Sequence, residues 1–243
     1  GAAAQLSGSE RQIFVIKSGV MHLFNPQSSG YLSDTDLGLN LVDNVDDIQP
    51  RSGVSYRTEL MNFIGGMNTD ETPRKAMEDP LHSRPVVVNY NEGKQVVYVA
   101  TNSGYLHAIN TADGSEYFSL IPEEVLKNPN YFLSPELISD NRKVYGLDGN
   151  LSYWHNDINL NGKVDGSDTV YLYLGMRRGG HSYYAFDITN PDSPSLLWQK
   201  NGSYTETATK NVPAVSSGFE RLGQTWSSLR PALVKWNGAD KVV

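Results

Sequence analysis

The sequence predicts an all-β chain of modified β-propeller blades, four-stranded antiparallel sheets with a short helix and loop insertions, in a propeller that is itself incomplete. Three observations predict this. Short runs rich in β-branched and aromatic residues recur, separated by Asn/Asp/Gly turns, which is the signature of strands and hairpins. These runs fall into groups of four within about 40 residues, the size of one propeller blade. The third is an internal repeat: residues 230–243 align without gaps on residues 84–97. Arg230 falls on Arg84, Pro231 on Pro85, Val234 on Val88, Asn237 on Asn91, and Val242 and Val243 on Val96 and Val97, with Trp236 opposite Tyr90.

In chain order, residues 11–25 read as a strand pair, with runs at 11–17 and 20–24 turning through Ser18 and Gly19. Residues 26–83 read as an irregular insertion with one short helix. The part up to residue 50 is polar, without a period, and is expected to lie outside the core. Within the insertion, Tyr56, Leu60, Phe63 and Ile64 stand at i, i+4, i+7 and i+8 and are followed by Gly65 and Gly66, which predicts an amphipathic helix with a glycine stop. Residues 84–121 form the first blade, with strands at 85–90, 95–100, 105–110 and 116–121 and turns at 91–93, 102–104 and 113–114. Residues 147–200 form a second blade, with strands at 151–155, 169–174, 182–187 and 196–199. Residues 227–243 start a third and stop in its second strand, where a bare edge is an aggregation liability. The chain is therefore expected to be part of a longer propeller.

The second blade carries the most informative stretch. From Asp157 to Asp168, oxygen-bearing side chains occupy positions 1, 3, 5, 9 and 12 of a twelve-residue loop: Asp157, Asn159, Asn161, Asp165 and Asp168. Position 6 is Gly162, which allows a sharp turn, and position 7, Lys163, offers its backbone carbonyl. A hard cation such as Ca²⁺ takes six to eight oxygens, and this spacing wraps a loop round one ion. The pattern is that of an EF-hand loop except that position 12 is Asp instead of Glu, one methylene shorter. The flanks differ from an EF-hand, since residues 151–155 and 169–174 are strand-like and not helical. The loop is thus expected to join two strands. A metal-free polar turn is the alternative, because the same residue types favour turns on their own.

Composition narrows the function. A net charge of −7 with no basic stretch argues against a nucleic-acid partner. No apolar run approaches the roughly 20 residues of a membrane span. The absence of cysteine excludes disulfides, thiolate metal sites and cysteine nucleophiles. No signal peptide is visible at residues 1–5, which fits a mature product, an excised fragment or a cytoplasmic chain. No nucleophile elbow and no phosphate-cradling glycine loop is present. Arg177 and Arg178 read as a hairpin turn with solvated arginines, or else as two guanidinium groups for a carboxylate or phosphate. His22, His82, His107, His155 and His181 lack metal-ligand spacing, and His155 is expected to pack between strands. Trp154, Trp198, Trp226 and Trp236 read as blade packing, with a carbohydrate platform as the alternative.

Three blocks, at residues 79–88, 98–108 and 175–191, occur in order and resemble the C-terminal domain of PilY/PilC-type proteins, the type IV pilus tip-associated adhesins and biogenesis factors. The resemblance covers roughly residues 50–243. It implies a modified β-propeller with a calcium loop whose ligands match Asp157, Asn159, Asn161 and Asp165, with Lys163 through its carbonyl; the family pattern closes at Asp165. It also implies roles in pilus extension and retraction, twitching motility, adhesion and virulence, and the chain is expected not to be an enzyme. Implied partners are minor pilins of the pilus tip complex and a host-cell surface receptor. The implied location is extracellular, at the pilus tip, bacterial surface or outer membrane, after export through the periplasm. A second resemblance, of residues 105–118 to the blade repeat of quinoprotein dehydrogenases, raises an enzymatic alternative. Those enzymes hold calcium in a central funnel with carboxylates from separate blades, whereas the loop here is self-contained.

Overall fold

The computed structural model describes residues 11–26, 30–39, 54–68, 72–74, 77, 79–128, 145–203 and 212–242. Among these, strands predominate, helices are few and short, and no sheet closes on itself. The first blade is a meander of β3 (Val86–Asn89), β4 (Gln95–Ala100), β5 (Leu106–Asn110) and β6 (Glu116–Ile121). Its register places Val88 beside Val96, Tyr98 beside Ala108 and Ala108 beside Phe118, so one face is apolar and buried. The second is a meander of β7 (Leu151–Asn156), β8 (Thr169–Gly175), β9 (Ser182–Asp187) and β10 (Ser195–Asn201). Its buried residues include Leu172, Leu174, Tyr184 and Phe186. The two faces share one core, and β7 lies against β3 and β4.

The N-terminal strand pair does more than the sequence implies. β1 (Ile13–Lys17) and β2 (Val20–Leu23) form a hairpin whose turn residues Ser18 and Gly19 both have positive φ, 51° and 74°, as a tight hairpin turn requires. β1 also runs parallel to β6, with Phe14 beside Leu120, and extends the first blade to six strands in the order β2-β1-β6-β5-β4-β3. A parallel partner about a hundred residues away leaves no turn signal between the strands. A buried ion pair fastens this seam. Arg11 Nε donates to Glu116 Oε2 at 2.7 Å, and the other carboxylate oxygen lies 2.7 Å from His107 Nδ1. Burial pushes the Glu116 carboxyl up, but the hydrogen bonds from His107 and Arg11 outweigh it and hold the group below the usual glutamate range.

The helix α1 (Tyr56–Ile64) occupies the expected residues. Ser55 caps it by accepting from Thr58 N–H at 3.2 Å, and Leu60, Met61 and Ile64 enter the core. The region before it needs correcting. Leu32 and Leu37 are fully buried, so the stretch expected outside the core contributes to it. Leu32, Leu37 and Leu39 stand among Ser, Asp, Thr and Gly, and their contact with the core is revealed only by the fold. Residues 27–29 and 40–53 of that segment lie outside the described residues. A further one-turn helix, α2 (Glu123–Leu126), is too short to leave a periodic pattern.

The third repeat is a hairpin, β11 (Leu233–Trp236) with β12 (Ala239–Val242); Val243 lies outside the described residues. Leu233 and Trp236 are more than half exposed, as is Trp226, which stands in no strand. The expectation that all four tryptophans pack inside blades therefore fails for these two. Trp154 and Trp198 do sit on strands, beside Tyr171 and Tyr173.

Candidate metal centre

The neck of the loop is formed where β7 ends and β8 begins, with Asn156 beside Thr169. Inside it, short polar side chains hydrogen-bond the backbone ahead of them, which is why Asp and Asn suit such turns. Asp157 Oδ1 accepts from Asn161 N–H at 3.1 Å and its Oδ2 accepts from Gly162 N–H at 2.7 Å. Asn159 Oδ1 also accepts from Asn161 N–H (3.1 Å), and Asn161 Oδ1 accepts from Lys163 N–H (2.7 Å). Asn159 Nδ2 and Asn161 Nδ2 both donate to the Asp165 carboxylate, at 3.1 and 2.7 Å. The structure thus brings Asp157, Asn159, Asn161 and Asp165 into one polar cluster, with Lys163 exposed on the same turn. Gly162 has φ 74°, the left-handed conformation that glycine adopts freely. Leu160 shares that conformation (φ 58°) and is 86% exposed.

Asp168 is placed differently from the other sequence-predicted ligands. It is almost fully buried. Its Oδ1 accepts from Ile158 N–H at 3.0 Å, and its Oδ2 accepts from Asp165 N–H and from His155 Nε2, each at 3.2 Å. The Ile158 hydrogen bond, followed by those from Asp165 and His155, holds its carboxyl below the usual aspartate range against the opposing effect of desolvation. His155 is therefore not only an inter-strand packing residue. Donor atoms of His155, Asp157 and Asp168 lie within 4.8 Å of one another.

One residue that the sequence reading passes over anchors the loop. Val164, between Lys163 and Asp165, is 5% exposed and bonds through both backbone groups to the first blade. Its N–H donates to Asn89 O at 2.8 Å and its carbonyl accepts from Asn91 N–H at 3.0 Å, a parallel bridge beside Tyr90. The Tyr90 hydroxyl in turn donates to Ile188 O (2.6 Å) and lies 2.7 Å from the Tyr98 hydroxyl. Ile158, Leu160 and Val164 look alike in sequence. Burial alone separates the anchor from the two exposed residues.

The Arg177–Gly179 turn also departs from expectation. Arg177 Nη1 donates to the buried Asp148 (3.3 Å), which His82 also contacts, and Arg178 Nη1 donates to the Tyr145 hydroxyl (2.9 Å). Both guanidinium groups lie over Trp226, at 4.9 and 5.7 Å, so both arginines have protein partners; Arg177 is half-buried, while Arg178 stays exposed as expected of a solvated turn. Glycine is required at position 179, since a Cβ there would stand 1.7 Å from Gly146 O.

No protein-family model matches the chain. Curated relatives do. A type IV pilus biogenesis factor PilY1 homologue of Xylella fastidiosa is 30% identical over 146 residues, covering 55% of this chain and 10% of the relative. Type IV pilus biogenesis factor PilY1 of Pseudomonas aeruginosa is 30% identical over 107 residues, covering 44% of this chain and 9% of the relative. The chain therefore spans about a tenth of the length of the relatives it matches. Among solved structures, the P. aeruginosa PilY1 C-terminal domain aligns over 61% of this chain and 24% of its own, at 23% identity and a TM-score of 0.37. By sequence, this chain is similar to part of the PilY1-type type IV pilus biogenesis factors, the likeness that the three sequence blocks imply.

Proposed function

We propose that this chain is a calcium-binding β-propeller module of a type IV pilus tip-associated protein, in which the ion orders the loop at residues 157–168. The observation that carries this reading is the convergence of Asp157, Asn159, Asn161 and Asp165 on one exposed loop around the left-handed turn at Gly162. The donor set fits the ion. It is all oxygen, as a hard cation requires, and the neighbouring imidazole of His155 is turned to Asp168. Carboxylates so close together repel one another, and Lys163 is exposed, so a divalent cation relieves a strain the loop carries by itself. When bound, calcium supplies positive charge and a cross-link between the loop's two halves. Asp157, Asn159, Asn161, Asp165 and the Lys163 carbonyl hold it, and Val164 passes the resulting order to the first blade.

On this reading the module is not an enzyme, because the ligands come from a single loop and not from separate blades around a funnel. Calcium-dependent engagement of minor pilins at the pilus tip would regulate extension and retraction, and through them twitching motility and adhesion, including contact with a host-cell receptor. The module then works outside the cell or at its surface. Titration calorimetry of the Asp157→Ala variant tests the ion assignment: binding is expected to be abolished, and unchanged binding sinks it. Pull-down of minor pilins with and without a chelator tests the task of the ion. Equal recovery in both conditions overturns the regulatory part.

A further inference from the structure

The EF-hand-like spacing makes Asp168 the last ligand of the loop, the position where a bidentate carboxylate normally closes the coordination sphere. The geometry points to a different role: we propose that Asp168, held by His155, is a positioning residue that clamps the base of the loop and leaves the ion to the other oxygens. This inference rests on the calcium reading above and deepens it.

Three observations carry it. The first is how the carboxylate is already used. Oδ1 accepts from Ile158 N–H and Oδ2 from both Asp165 N–H and His155 Nε2. These donors come from the end of β7, from the loop just after Asp157, and from Asp165 itself. One side chain thereby fixes the segments that carry the first and last members of the exposed cluster, and Asp168 N–H closes the same turn by donating to Asp165 O at 2.8 Å.

The second is burial. The Asp168 side chain is 1% exposed and His155 beside it 15%, whereas Asn159, Asn161 and Lys163 are exposed. Asp168 sits inside the neck, Asp157 and Asp165 are half-buried at its mouth, and Asn159 and Asn161 lie outside it. The third is side-chain length. Aspartate reaches the Ile158 and Asp165 amides at 3.0 and 3.2 Å, and a glutamate from the same backbone position carries its carboxylate one methylene further. The departure from the EF-hand pattern at this position thus has a reason in the fold: the shorter acid is the one that clamps.

The two roles make opposite forecasts for one substitution. If Asp168 were a ligand, Asp168→Glu would restore the bidentate residue of the EF-hand pattern and hold or tighten the ion. If it is a clamp, Asp168→Glu displaces the carboxylate from both amides and loosens the loop. The experiment is calcium titration calorimetry on the full chain, joined to terbium luminescence lifetimes in H₂O and D₂O, which count water molecules on the ion. Expected results are that Asp168→Glu weakens calcium affinity about tenfold, and that Asp168→Asn weakens it without raising the water count. His155→Phe removes one donor to the clamp from outside the loop, and is expected to weaken affinity at unchanged water count even if the Asp168 variants fold poorly. Affinity held or tightened in Asp168→Glu, or added waters on terbium in Asp168→Asn, overturns the proposal. A wild-type chain that binds no calcium overturns the ion assignment itself, which is a distinguishable failure.

Discussion

Val164 offers a sharp test of how the loop is joined to the blades. Its side chain is 5% exposed, and its N–H and carbonyl bond to Asn89 and Asn91 of the neighbouring sheet. Val164→Ala removes two carbons from the core, at about 0.8 kcal/mol each by transfer. The cavity left behind raises the total to about 2 kcal/mol. In a domain of this size that is a fall in Tm of roughly 4–8 °C. Leu160→Ala, four positions earlier in the same loop, is the matched control: Leu160 is 86% exposed, and surface changes stay within about 0.5 kcal/mol. The assay is thermal unfolding of both variants and the parent, with calcium and with chelator. If the anchor also orders the loop, Val164→Ala lowers calcium affinity as well, because stability and binding are linked through the same ordering equilibrium. Equal Tm losses for the two variants, or no loss at Val164, refute the anchoring argument.

Other expectations concern the body of the fold. Glu116→Gln leaves Arg11 and His107 facing a neutral partner in a buried site and is expected to cost about 3 kcal/mol in chemical denaturation. Because the folded-state carboxyl of Glu116 is held below its ordinary range, its contribution is complete above that range and disappears as pH falls through the folded value. The acid limb of a stability–pH profile should therefore flatten in the variant, and an unchanged limb argues against the ion pair. Gly179→Ala would force a Cβ to within 1.7 Å of the Gly146 carbonyl. Backbone on both sides must move, so the loss should reach about 3 kcal/mol, the upper end for overpacking; a soluble variant with parental Tm contradicts the close approach.

The loop is not an appendage of the second blade. Val164 interrupts the run of candidate ligands with a residue that belongs to the first blade's hydrogen bonding. The candidate ion site and the seam between sheets therefore share one segment. This coupling gives a surface loop a way to change the rigidity of the module, and it depends on backbone contacts that substitutions at the ligands leave in place.

The chain's local pattern determined a good deal. Helix α1, the strands at 95–100, 116–121 and 182–187, and the blade-sized groups are all readable, because period-2 alternation, helical spacing and turn glycines act over a few residues. The oxygen spacing from Asp157 to Asp168 is likewise local, so the loop and its strand flanks could be located from sequence. The tertiary structure alone decided the parallel docking of β1 on β6, the burial of Leu32 and Leu37, and the exposure of Trp226 and Trp236. It also separated the buried Asp168 from the half-buried and exposed oxygens of the loop, and Val164 from Leu160. The physical reason is common to all of these: which face of a residue meets a partner is set by segments far away in the chain, and one-dimensional spacing records the residue type but not that encounter.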